Sequence, residues 1–91
     1  MNPTAITVSL VPDARGGPFI LWDDISTSCA KAKALGYDAV ELFAPSPAAV
    51  REASAVVRRE GLALAAVGTG AGWVLHKLSI SDPDPEIRAR A

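Results

Sequence analysis

The chain has 91 residues, 49% of them hydrophobic and 21% charged, with a formal net charge of -1. That is room for one domain burying about 60 to 70% of its unfolded surface, and it excludes a complete large enzyme barrel. Nine basic against ten acidic residues and a pI near 5.7 leave no basic footprint, which disfavours nucleic-acid binding.

High apolar content and small net charge predict a globular chain. The single cysteine, Cys29, has no internal disulfide partner, and the amino terminus lacks the order of a signal peptide. A cytoplasmic location is expected. No run approaches the roughly 20 apolar residues that span a bilayer, so membrane crossing is not expected.

The β-branched and apolar run over 5–11 (AITVSLV) predicts a buried strand, ended by Pro12 and Asp13. Residues from Asp13 to Trp22 carry Gly16, Gly17 and Pro18 and read as a loop, longer than the usual two to six residues of a βα connection. Over 24–35 the apolar positions Ile25, Cys29, Ala32 and Leu35 recur at helical spacing, with Asp23 or Asp24 at the start and Gly36 past the end. A second strand follows over 39–44.

Ser46 and Pro47 form a helix start, because the hydroxyl accepts from an orphan N–H and proline has no N–H to leave unpaired. The helix runs over 47–60 with Val50, Ala53 and Val57 on its buried stripe, Arg58 and Arg59 near its carboxyl end, and Gly61 as the stop. Continuous apolar residues predict a third buried strand over 62–67, then a flexible glycine turn from Gly68 to Gly72. Residues 73–81 show no clear pattern. A further helix begins at Pro85, with Asp84 as its cap.

Strand and helix alternate, so the expected fold class is α/β, with parallel strands joined by crossovers. If both helices lie on one face, the other face and both sheet edges lack partners. The run GYDAVEL from Gly36, the third strand with its glycine turn, and LSISDPDPEIR from Leu78 to Arg88 together resemble the xylose isomerase-like TIM-barrel superfamily. Sugar phosphate isomerases and epimerases are its typical members.

The resemblance covers nearly all of the chain and implies the first three βα units of a (β/α)8 barrel, incomplete in this chain, since such a barrel takes roughly 250 residues. It implies a sugar or sugar phosphate as partner and a divalent metal of the Mn, Mg, Co or Zn class. The reaction implied is proton transfer beside a carbonyl. The metal ligands and catalytic residues of that family lie mostly on later strands, and none carries over to a residue here. Endonuclease IV shares the superfamily and a similar Ser-x-Pro-Asp-Pro-Glu-type helix start, but it has a zinc-binding histidine where this chain reads Val67, Gly68 and Thr69.

Four residues are candidates for substrate binding. Glu41 is the one charged residue in a predicted buried strand, and alternation puts it on the face of Ala39 and Phe43, away from Val40 and Leu42. A buried carboxylate requires either an ion pair or a ligand contact. His76, the sole histidine, reads as a loop residue after the third strand that either meets a ligand or is simply solvated. Lys77 beside it either contacts a phosphate or is solvated. Trp22 and Trp73 beside the strand ends either stack on a sugar or cover the core.

Gly68, Gly70 and Gly72 miss the G-x-G-x-x-G spacing and are not expected to open a helix, which weakens a doubly wound nucleotide-binding module. Cys29 reads as a small hydrophobe on the first helix rather than a nucleophile. Arg51, Arg58 and Arg59 with Glu52 and Glu60 read as a solvated outer face. The alternative to an enzyme is a non-catalytic βα piece that covers its open edges by self-association.

Overall fold

The computed structural model describes residues 2–91. Three parallel strands, β1 (Ala5–Ser9), β2 (Ala39–Phe43) and β3 (Ala63–Gly68), lie side by side in chain order. Helix α1 (Ile25–Ala34) connects the first two and α2 (Pro47–Arg59) the second pair. Two short helices follow, α3 (Ala71–His76) and α4 (Pro85–Arg90).

Local chemistry explains the helix ends. Asp24 accepts from the Thr27 amide at 3.1 Å and starts α1, and the Ser46 hydroxyl accepts from the Ala49 amide at 3.2 Å with Pro47 in the first turn of α2. Gly36 and Gly61 end these helices at φ of 89° and 76°, a region that a β-carbon penalises. At α4, Asp84 accepts from the Glu86 amide at 2.9 Å.

Ile6 and Val8 from β1, Val40 and Leu42 from β2, Cys29 and Ala32 from α1, and Ala53 and Val57 from α2 share one core. Both long helices therefore cover the same face of the sheet. Glu41 and Phe43 alternate to the opposite face, where Thr7 and Ala66 stand beside Glu41 in register. At the carboxyl end of the strands a second cluster forms from Val11, Ala14, Phe43 and Ala71, with Phe19 and Leu75 packed on it.

Several expectations need correction. The first strand ends at Ser9 rather than residue 11, because the Ser9 hydroxyl accepts from the Val11 amide at 3.3 Å and the Val11 carbonyl closes a turn with the Ala14 amide at 2.9 Å. Leu35 is the carboxyl cap of α1 and is 67% exposed, off the stripe that spacing assigned to it. The third strand is solvent-exposed along nearly its whole length, although Leu62 just before it is buried. It is an edge strand, and Ala65 is an extra residue that shifts its register against Val40 and Glu41.

The two sheet edges also differ. The outer edge of β1 is covered: the Ser9 amide donates to the Leu21 carbonyl at 2.8 Å, and the Leu21 amide donates to Thr7 at 3.2 Å. The long connection after β1 thus returns as a strap along the strand. The glycine turn after β3 opens directly into α3, with Gly70 as its cap. No side chain caps α3, so the helix carries no residue-level start in the sequence.

Candidate functional site

In parallel α/β sheets the carboxyl ends of the strands, with the loops that follow them, form the ligand-binding side. Among the described residues, clefts at that end include three. The largest, about 440 Å³, lies between the start of α2 and the β3–α3 turn and is lined by Ser46, Val50, Arg51, Val67, Thr69 and Gly72 among others. A second, about 230 Å³, opens beside the end of β1 between Ser9, Arg15, Trp22, Asp23 and Asp24. The third, about 290 Å³, is walled by Trp73, Leu78, Ile80 and Ala91.

The structure separates the four candidates. Glu41 is half-buried on the face away from the helices and lines none of these clefts. It has no ion-pair partner among the described residues, where the one bridge joins Lys31 to Asp23 at 2.6 Å.

His76 is the last residue of α3 and exposed, not part of a loop directly after the strand. Trp73, one turn earlier on α3, is 56% exposed, and Lys77 places its ammonium 5.1 Å from the indole centroid. That cation–π contact gives Lys77 a partner within the chain. Lys77 ends α3 at φ 54°, which turns the chain away from the helix axis. Trp22, 41% exposed, lines the 230 Å³ cleft.

Arg15 and Asp23 share that cleft, and the pattern of residues gave no sign of either. Their only sequence signal is position, in a long loop and beside the start of a helix. Asp24, the third charged residue there, is used up by capping: its two carboxylate oxygens accept from the Thr27 hydroxyl at 2.6 Å and the Thr27 amide at 3.1 Å. Those bonds, the hydroxyl first, hold its carboxyl below the usual value. Burial, with the Glu60 charge adding to it, pushes the Cys29 thiol up.

The residues present do not fit a divalent metal by themselves. Among the described residues no three His, Cys, Asp or Glu side chains gather into a group able to hold one. The neighbours of Glu41 in register, Thr7 and Ala66, add neither a carboxylate nor an imidazole. Among the described residues no helix is long and apolar enough to cross a membrane. Comparison with protein-family models, with curated proteins and with solved structures finds no match to this chain.

Proposed function

We propose that the chain forms the amino-terminal βα units of a sugar or sugar-phosphate isomerase/epimerase-like barrel. The observation that carries this reading is the winding. Strands adjacent in chain order, with both connecting helices on one face, match the singly wound course of a barrel; one βαβαβ half of a doubly wound sheet shares that course, but the connection after β1 lacks the G-x-G-x-x-G turn of a nucleotide-binding sheet. In a barrel the face away from the helices points inward, and Glu41 with Thr7 lies on that face.

A half-buried carboxylate there accepts a hydrogen bond from a substrate hydroxyl, and Thr7 adds a hydroxyl that both donates and accepts. The metal implied by this reaction class requires ligands from further βα units. Glu41 therefore orients substrate in this reading, with proton transfer assigned to residues on those units.

Two measurements test it. The coding frame downstream of Ala91 is expected to continue with alternating βα units bearing Glu, Asp and His at strand ends. The longer product is expected to exchange the hydrogen beside the carbonyl of ketoses or ketose phosphates with solvent deuterium when manganese or magnesium is added. A stop directly after Ala91 with no adjoining frame, or a longer product without exchange, overturns the reading.

A second reading, a non-catalytic piece that self-associates, is favoured by the exposure of β3. Leu64 and Val67 stand beside Val40 and Leu42 on the helix-covered face, yet both remain substantially exposed. An uncovered apolar edge strand is an association surface.

A further inference from the structure

Leu21 takes the place of a neighbouring strand on β1 for the length of one residue pair. Its amide donates to the Thr7 carbonyl at 3.2 Å and its carbonyl accepts from the Ser9 amide at 2.8 Å, a parallel bridge opposite Val8. These are the two backbone groups that an uncovered β1 would present to another chain. Among the described residues no segment returns in this way to β3, which is uncharged over its six residues.

Few contacts hold this strap. Gly16 and Gly17, at φ of 74° and 57°, turn the chain back, and the Phe19 amide closes the turn on the Gly16 carbonyl at 3.0 Å. Phe19 rests on Phe43, Leu21 packs on the core from a half-buried position, and Ile20 between them is exposed. Release of the strap would leave β1 paired with β2 over five residues, so the sheet does not depend on it.

The number of open edges decides how far copies of the chain assemble. A twofold axis perpendicular to the sheet pairs β3 with β3 of a second copy in antiparallel fashion, and no charge on the strand opposes its own image. Leu64 and Val67, on the helix-covered face, then meet their counterparts. Each copy has spent its one open edge, and growth stops at two. With the strap released, the Thr7 carbonyl and Ser9 amide become a second edge, able to take β3 of a further copy. That contact uses different surfaces on the two copies and does not close at two.

We infer that the segment from Gly16 to Leu21 is a latch on the β1 edge, which limits the chain to a twofold pair when closed and permits larger assemblies of the same chain when open. The latch rests on the self-association reading and is independent of the isomerase reading.

The test combines amide hydrogen exchange by NMR with sedimentation equilibrium of the 91-residue chain. The parent is expected to show protected Ser9 and Leu21 amides and a weak monomer–dimer equilibrium, with a dissociation constant on the order of 100 micromolar for so small an interface. Phe19→Ala removes the ring that anchors the strap. Gly16→Val strains the turn through its positive φ and leaves the sheet untouched, because a β-carbon there meets nothing within 4 Å. Each variant is expected to speed exchange at Ser9 and Leu21 at least tenfold with Val40 and Leu42 unchanged, and to raise the average mass past that of two chains. Adding Val67→Lys to either is expected to return the mass to two chains or fewer.

A parent that stays monomeric sinks the self-association reading and the latch with it. A parent that dimerises, with variants that free Ser9 and Leu21 yet still stop at two, sinks the latch alone. Protection unchanged in both variants, a parent that grows past two, or large assemblies indifferent to Val67→Lys also overturns it.

Discussion

The rings of Phe19 and Phe43 lie 4.6 Å apart between centroids and tilted by 47°, joining the long β1–α1 connection to the end of β2. This pair, with Val11, Ala14, Ala71 and Leu75, closes the carboxyl end of the sheet on the face away from the helices. Phe43 is nearly fully buried and Phe19 half-buried. Phe43→Ala is expected to cost about 3 kcal/mol and Phe19→Ala less, read from urea unfolding midpoints. Equal and negligible effects would show that the connection does not pack on the sheet.

Leu42 is the largest fully buried side chain and sits on the central strand between α1 and α2. Leu42→Ala is expected to cost about 2 to 5 kcal/mol, while Ile80→Ala, at a residue 80% exposed, stays within about 0.5 kcal/mol. Thermal unfolding separates them, because about 1 kcal/mol moves the melting temperature of a domain this size by roughly 4 to 8 °C. Similar shifts for both would contradict the placement of the core.

Asp24 provides the acid-side pH dependence. Its folded value lies below the ordinary 3.8, so its contribution to stability is present above that value and is lost as pH falls through the folded one. Asp24→Asn is expected to flatten the stability profile below about pH 4 while leaving a cap in place, since the amide oxygen still accepts from Thr27. A variant that retains the full acid-side loss would assign it to other carboxylates.

Cys29 is fully buried, and its thiol value is raised. The neutral thiol is therefore favoured by folding, and that part of stability is lost as pH rises from the unfolded value through the folded one. Alkylation by iodoacetamide at pH 8 is expected to be slow in the folded chain and to become fast in urea at the unfolding midpoint. Rapid alkylation without denaturant would place Cys29 outside the core.

The open edge of β3 carries no charge over Ala63–Gly68, and nothing in the strand resists pairing with another edge. Sedimentation velocity of the 91-residue chain is expected to show association that grows with concentration. Val67→Lys should shift it toward monomer, because lysine on an edge strand opposes edge-to-edge pairing. A parent chain that stays monomeric at high concentration removes the self-association reading.

Much of the fold was legible in the residues themselves. Ser46-Pro47, Asp84-Pro85, Gly36 and Gly61 mark helix ends through groups within a few residues, so caps and stops could be placed without tertiary information. Alternation likewise put Glu41 and Phe43 opposite Val40 and Leu42, because successive strand side chains point to opposite faces. Helix α3 escaped, since six residues with Gly72 among them and no side-chain cap leave no periodic pattern to read.

The candidate site was less legible. Trp22 stands out by type, but its cleft partners Arg15 and Asp23 are ordinary charged residues brought beside it by the connection after β1. The sequence by itself determined the caps and stops of α1 and α2 and the start of α4, because those boundaries depend on near neighbours. Tertiary structure alone decided which edge stays open: Leu21 bonds to β1 across a loop, while β3 has no such return. Loop closure of that kind depends on backbone partners far apart along the chain, which no local pattern encodes.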